Sequence, residues 1–443
     1  MLASFGFGGY LPDLLPEEFA ARDLLVANGA DKSWDVDAQD AHWMRETLRA
    51  SMEGCGKASP NPSVGCVLVC EGKEIARGCT DFFGGQHGER VAFSRVPPDT
   101  DWSKVTVYAL LEPCAHHGKQ PPCADLVVEK KPARVVVALV DPFASVNGRG
   151  FAKIRAAGIP LRTGVLAREA ALWLSPFLLA TKTKRPVLVG KWAQTLDGCL
   201  ADESNAWRWI TGPSARRYTH WLRRKYDGIL VGAGTLLNDA PKLDVRDLPE
   251  PSLTPLRMVF DPHARLLSAV DLQKNALRQG TLSLGSPLVV FVSESSYSAE
   301  RDGARAWHDE CERHGVRFVP FPAKSSADLL AGFFAALEST DLSALRPGPF
   351  RARPLQSVLV EGGPTLLNAL FGVGAIDICH AFLAPFFLGG VKNRIGCIGS
   401  LESAERHVSL ANFRAGNDVV WEFMPPRIHA LLESSWLAPA SEG

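Results

Sequence analysis

FGGQHGER (83–90), followed by LEPCAHHGKQPPC (111–123), is the stretch whose reading decides the fold. It sets a histidine and a glutamate two positions apart, His87 and Glu89, and then two cysteines nine positions apart, Cys114 and Cys123. One imidazole nitrogen and two thiolates are three of the four donors of a tetrahedral zinc, and the fourth position is left to water. Three protein ligands make a catalytic arrangement, because the metal lowers the pKa of bound water toward neutrality. Glu89 is then the spare acid, placed to carry a proton.

Working outward, the flanking sequence alternates strands and helices. The apolar spacing of HWMRETLRASMEG predicts a helix from His42 to Gly54, ended by Gly54 and Gly56. SPNPSVGCVLVCEGKEIARG reads as a turn, a strand over Val64–Val69, a Glu-Gly turn and a second strand, which together make a hairpin. Asn61 lies between two prolines whose fixed backbone holds its side chain near the mouth of that hairpin. A helix is predicted to begin near His87, a strand in KVTVYALLEPC to break at Pro113, and a helix to follow in PCADLVVEKK. Each ligand therefore sits where a strand or loop meets a helix start, a place that favours thiolate and carboxylate. ARVVVALVD and GFAKIRAAGIP add a strand and a helix, giving a layered α/β domain with helices on both faces of one sheet.

Length and charge limit the function classes. A chain of 443 residues calls for more than one core. Lys+Arg and Asp+Glu each total 48, with no basic stripe of the kind a phosphate-backbone binder needs, so the expected partner is a small molecule and not a nucleic acid. The ten cysteines are scattered, which favours a reducing compartment. No apolar run reaches membrane-spanning length and no signal peptide is recognised, so a soluble cytoplasmic protein is expected. Residues 1–40 form an acid-rich extension with a short helix expected from Pro16 to Asn28.

TKTKRP (181–186) is basic and ends in proline, as a domain joint would. Beyond it PVLVGKWAQTLDG opens a second α/β stretch, with a helix in WRWITGPSARRYTHWLRRKY capped by Thr211 or Ser214 and started by Pro213. DGILVGAGT and VEGGPT each run a strand into a glycine turn, allowing close backbone approach to a dinucleotide. Further strands are read at LRMVFD, SPLVVFVS, VRFVPF and QSVLVEGG, with a last pair near ICHAFLAPFFLGG and VVWEFM, and a helix in ADLLAGFFAALES. The divisions expected are an extension 1–40, a zinc domain 41–183, a second domain 184–430 and a tail 431–443.

The His-x-Glu and Pro-Cys combination is the signature of zinc nucleobase deaminases. The eight residues between Cys114 and Cys123, together with SPNPSVG, LEPC and DPFASVNGRG (141–150), resemble the N-terminal half of the bifunctional riboflavin-biosynthesis deaminase/reductase family. The resemblance continues through KWAQTLDG, WITG, DGILVGAGT, NDAPKLDVR, VEGG and APFFLGG, over about residues 41–395. It implies a cytidine-deaminase-like three-layer αβα zinc domain followed by a dihydrofolate-reductase-like α/β domain. The implied reactions are hydrolytic deamination of 2,5-diamino-6-ribosylamino-4(3H)-pyrimidinone 5′-phosphate and NADPH-dependent reduction of its ribosyl group to ribityl. Carried over by position, His87, Cys114 and Cys123 bind zinc, Glu89 moves the proton and Asn61 touches substrate. In the second half Ala193, Trp209, Thr235, Asp239 and Gly363 match cofactor contacts, and Arg223, Leu243, Arg246 and Glu361 match substrate contacts. Arg223 and Arg246 are candidates for a bidentate phosphate clamp, Arg246 the better one. A homo-oligomer is compatible with this reading.

Five residues depart from the family pattern. Gly88 replaces the alanine of His-Ala-Glu, at about 1 kcal/mol of helix propensity. Thr80 stands where a histidine is expected, and Phe143-Ala144 replaces Asn-Pro, changes that bear on the deaminase pocket or its contact with the other domain. Trp207 occupies a position where serine commonly meets substrate. Two other readings follow: a diverged homologue in which only the deaminase half works, motivated by Trp207, and a nucleic-acid base deaminase, against which the cysteine spacing and charge balance argue.

Overall fold

The computed structural model describes residues 37–116, 120–143, 146–201, 209–248, 255–284, 286–346, 353–389 and 407–436. The helix expected at Pro16–Asn28, Ala144 and Trp207 lie outside these residues. The chain divides into two compact units, one comprising the described parts of Val26–Arg185 and Pro426–Gly443, the other Pro186–Pro425.

In the first unit α1 (Ala38–Glu53) precedes a hairpin of β1 (Gly65–Cys70) and β2 (Lys73–Cys79). Then come α2 (Gly88–Ser94), β3 (Val105–Leu111), α3 (Cys123–Lys130), β4 (Arg134–Leu139), α4 (Arg149–Ala156), β5 (Leu161–Thr163), α5 (Ala167–Trp173) and α6 (Ser175–Thr183). The sheet runs β2-β1-β3-β4-β5, antiparallel in the first two pairings and parallel in the rest. Strand alternation sorts its residues onto two faces. Cys66, Leu68, Val105, Val107, Val135 and Val137 pack against Ala92, Phe93, Val127, Phe151 and Ile154 of α2, α3 and α4. Tyr108, of opposite parity, turns to α1 and donates to buried Asp40 at 2.7 Å, whose carboxylate also pairs with Arg134 and Arg162. Helices on both faces make the αβα layering that the alternation predicts.

The second unit begins with β6 (Val187–Thr195), α7 (Pro213–Lys225), β7 (Gly228–Gly232) and α8 (Ala233–Asp239). It continues through β8 (Leu256–Phe260), α9 (Asp271–Gln279), β9 (Leu288–Ser293), α10 (Glu294–Arg301), α11 (Arg305–Arg313), β10 (Val316–Phe321) and α12 (Leu329–Ser339). It ends with β11 (Ser357–Val360), α13 (Pro364–Gly372), β12 (Ile378–Ala384), β13 (Val408–Ala415) and β14 (Asp418–Met424). The sheet order is β10-β9-β8-β7-β11-β6-β12-β14-β13, parallel until β14 and β13. Its parallel strands read as apolar runs because both faces are covered, and strand residues of the two faces fall into separate clusters. Strand β13 was not foreseen from sequence.

Two expectations need correction. The cap of α7 is Gly212, not Thr211 or Ser214; Pro213 opens the helix, and Asp418 fixes the turn by accepting the Gly212 N–H at 2.7 Å. The last helix, α14 (Pro426–Trp436), is neither reductase sequence nor tail, since it packs on α5, α6 and β4 of the first unit. Lys182 ties it down by donating to the Leu431 carbonyl at 2.6 Å. Among the described residues no helix is long and apolar enough to cross a membrane.

Candidate functional site

The three expected ligands converge. His87 Nδ1 lies 3.5 Å from both Cys114 Sγ and Cys123 Sγ, and the three donor atoms fall within 4.8 Å of one another. Zinc bonds of about 2.3 Å to sulfur and about 2.0 Å to nitrogen place tetrahedral S and N donors about 3.5 Å apart, so this donor set fits zinc. His87 is the cap residue of α2 and Cys123 the first residue of α3, as the helix-start argument requires. The Cys123 N–H donates to Cys114 Sγ at 3.3 Å. A shared hydrogen bond with Cys123, and then His87, hold the Cys114 thiol well below its ordinary value, while that bond and burial push Cys123 up. A dication would hold both sulfurs as thiolates.

Glu89, in the first turn of α2, is buried beside this triad, and burial raises its carboxyl above the usual range despite the opposing pull of His87. A buried carboxyl of raised affinity next to three metal donors is suited to taking and giving a proton. Asn61 sits in the bend before β1, its N–H donated to Ala58 O at 3.0 Å. That bend leads to Val64, whose carbonyl abuts Gly88.

Sequence reasoning missed the residues that build this geometry. Glu112 of LEPC is buried and accepts backbone N–H groups from Gly148 at 2.9 Å and Gly150 at 2.8 Å, with Asp141 and Phe151 at 3.3 Å. The DPFASVNGRG motif is therefore a cradle for the glutamate two residues before Cys114. A side chain at Gly150 would meet Pro113 O at under 3.0 Å, which explains the glycine. Arg90 donates to Pro121 O at 3.1 Å and so links α2 to the approach to Cys123.

The departures from pattern acquire local reasons. At Gly88 a Cβ would approach Val64 O at under 3.0 Å, so α2 lies too close to the hairpin for the usual alanine. Thr80 is buried and its Oγ1 accepts the Val64 N–H at 3.0 Å, holding the same segment. Phe143 is exposed along one edge and packs on Phe177 with ring centres 5.6 Å apart.

In the second unit the carried-over residues form groups. Arg223 of α7 and Glu361 after β11 make a bidentate pair at 2.6 and 2.9 Å, and Arg223 also donates to Asp244 O at 3.1 Å. The Nε–Nη2 edge of Arg223 is thus engaged by Glu361. Arg246 is 46% exposed and pairs with Asp244, leaving guanidinium surface for a ligand. Leu243 has its side chain in the core and a left-handed backbone, φ 56°, so what it offers a ligand is main chain. Thr235 and Asp239 are one turn apart on α8, and Thr235 Oγ1 lies 3.6 Å from where a Gly363 Cβ would be. Gly363 caps α13. Ala193 pairs with Phe382 across β6 and β12. Trp209, half exposed, lies ahead of α7 under the Arg216 guanidinium at 4.8 Å. The structure brings Arg223 to Glu361 and Thr235 to Gly363.

Lys191 and His220 belong to this site and were not singled out from sequence. Lys191, in KWAQTLDG, is half-buried within reach of the charges of Glu361 and Arg223; desolvation lowers its pKa, and Nζ stands 4.8 Å over the Phe382 ring. Burial works to raise the Glu361 carboxyl, but Arg223 outweighs it and holds the group ionised. The Asp of the same motif, Asp197, closes a turn by accepting Leu388 and Gly389 N–H at 3.2 and 2.8 Å. Alternating strand positions were the missed signal: a lysine in a run of β-sheet burial points inward or needs a partner.

The fold and the two clusters define a two-domain chain in which a zinc deaminase unit is joined to a reductase unit. Residues 37–139 match the cytidine and deoxycytidylate deaminase zinc-binding region, and residues 186–311 and 348–420 match the RibD C-terminal domain. Riboflavin biosynthesis protein RibD of Chlamydia pneumoniae is 33% identical over 88% of this chain and 97% of its own length. That of Aquifex aeolicus is 32% identical over 79% and 88%. A solved diaminohydroxyphosphoribosylaminopyrimidine deaminase/5-amino-6-(5-phosphoribosylamino)uracil reductase of Thermotoga maritima superposes with TM-score 0.68 at 28% identity, covering 87% of this chain and 99% of that one. Acinetobacter baumannii RibD superposes at 0.64 with 26% identity over 87% and 99%. The chain belongs to the RibD family of riboflavin-biosynthesis deaminase/reductases.

Proposed function

We propose that this chain deaminates the 2-amino group of 2,5-diamino-6-ribosylamino-4(3H)-pyrimidinone 5′-phosphate and then reduces the ribosylamino group of the product to ribitylamino. The convergence of His87, Cys114 and Cys123 beside buried Glu89 is the observation that carries the first step. His87, Cys114 and Cys123 would hold zinc, which supplies Lewis acidity and a lowered water pKa. Glu89 takes the proton from the attacking water and returns it to the departing amine, a transfer matched to its raised affinity. Asn61, held between Pro60 and Pro62 at the hairpin mouth, orients the ring.

For the second step NADPH supplies hydride. Gly363, Thr235 and Asp239 would hold the cofactor, and the amides at the α13 N-terminus would suit its phosphates. Ala193 and Trp209 border it. Arg246 binds the substrate phosphate, the Leu243 backbone flanks it, and Glu361, fixed by Arg223, meets the ribosyl hydroxyls. Lys191, with its affinity for a proton lowered by desolvation, is the group able to donate one as hydride arrives.

The test supplies purified protein with the diaminopyrimidinone phosphate and follows ammonia release and NADPH oxidation separately. Both signals are expected, ammonia first. Ammonia without NADPH loss would reduce the function to the deaminase half.

A further inference from the structure

The loop joining α8 to β8 carries Leu243 and Arg246, and its backbone is held from outside at four points. Thr281 Oγ1 donates to Pro241 O at 2.8 Å and Arg257 to Lys242 O at 3.2 Å. Arg223 donates to Asp244 O at 3.1 Å, and the Arg246 N–H donates to His220 Nδ1 at 3.4 Å. Three residues of the loop, Ala240 at φ 41°, Leu243 at φ 56° and Asp247 at φ 61°, are in the left-handed region, a conformation non-glycine residues keep only when their surroundings impose it. Restraint from outside is therefore part of what sets this loop.

His220 and Arg223 are three apart on α7, so one helix face reaches the loop twice. Buried His220 directs Nδ1 at the backbone of the residue bearing the exposed guanidinium, while Nε2 lies 3.9 Å from Asp247 Oδ2. Accepting at Nδ1 requires the neutral ring with its proton on Nε2. Burial, then the Arg223 and Arg246 charges, favour that form. A histidine that merely filled the core would need neither a backbone partner in this loop nor a fixed tautomer.

We propose that His220 is a positioning residue of the reductase site, which accepts the Arg246 N–H at Nδ1 and thereby sets the Arg246 guanidinium against the substrate phosphate. The proposal rests on the reading of Arg246 as the phosphate ligand. Its test uses the full chain with NADPH and the deaminated substrate, with and without its 5′-phosphate. His220→Asn keeps an acceptor near the Nδ1 position, whereas His220→Gln carries it to the Nε2 position. His220→Gln is expected to raise KM for the phosphorylated substrate about tenfold, the loss of one polar contact. Its kcat, its KM for NADPH and its KM for the dephosphorylated substrate stay within about twofold of the parent on the same reasoning. His220→Asn is expected to restore most of the parental KM. Equal KM values for the Gln and Asn variants, or a rise shared by the dephosphorylated substrate, overturn the proposal. Arg246→Met separates the two readings. If it leaves KM for the phosphorylated substrate unchanged, the assignment of Arg246 falls; if it raises KM while His220→Gln does not, only the role of His220 falls.

Discussion

The two sites are built in opposite ways. The zinc cluster draws its donors from a short span, His87 being 27 positions from Cys114 and 36 from Cys123, and each donor stands at or before a helix start. The reductase cluster joins Arg223 to Glu361 across 138 positions and through strands that meet only in the finished sheet. The first gathers anionic donors that a metal must complete, whereas the second pairs the Arg223 guanidinium with the Glu361 carboxylate inside the protein. Donor chemistry alone therefore announces the first site, whereas the motifs of the second name its residues but not their pairing.

The largest expected effect removes chemistry from one site alone. Glu89→Gln should slow ammonia release by about 10²–10⁴-fold while zinc content and NADPH oxidation with pre-deaminated substrate stay unchanged. Loss of zinc in that variant would contradict the separation of ligand from proton carrier. Cys114→Ser should lower zinc per chain, and a chelator should lower the melting temperature of the first unit but not of the second. Coincident shifts of both units would show that the sites are not thermodynamically distinct.

The internally paired site breaks differently. Glu361→Ala leaves Arg223 buried without its carboxylate, and about 3–5 kcal/mol of stability should be lost from the second unit by denaturant unfolding. Unchanged stability would mean that solvent reaches this cluster. Gly88→Ala restores the usual family residue yet should destabilise the first unit by about 1–3 kcal/mol, because the new methyl meets the Val64 carbonyl. A stabilised variant would show that α2 shifts freely.

The smallest effect is a slope with pH. His220 has its proton affinity lowered to about 4 by burial, whereas in the unfolded chain it titrates near about 6.5. Between those values the unfolded chain binds the extra proton, so this residue's contribution is complete above about 6.5 and is lost as pH falls toward 4. The second unit should show that slope in its melting temperature, and His220→Asn should flatten it. An equal slope in both proteins would place its origin elsewhere.

Particular residues show where sequence reading ran out. His87, Cys114 and Cys123 were legible because metal donors have few residue types, and Glu89 because it follows His87 in the first turn of the same helix. Glu112 was not, since its partners are the main-chain amides of residues 141, 148, 150 and 151, which carry no side-chain signature. Arg223 was named, but its bidentate bond to Glu361 was not. The helix after Pro425 was divided between the second domain and the tail because its contacts lie with α5 and α6, far back in the chain.

By itself the sequence determined the alternation of strands and helices, the two α/β units and the donor set of the zinc site. These depend on periodicity, turn residues and ligand chemistry, all of which act within a few tens of residues. Only the tertiary structure decided why Gly88 and Gly150 must be small, that Arg223 is paired with Glu361 while Arg246 stays exposed, and that Lys191 and His220 lie near Glu361. Each of those depends on the distance between backbone or charged groups on different elements, and that distance exists only once the sheet has closed.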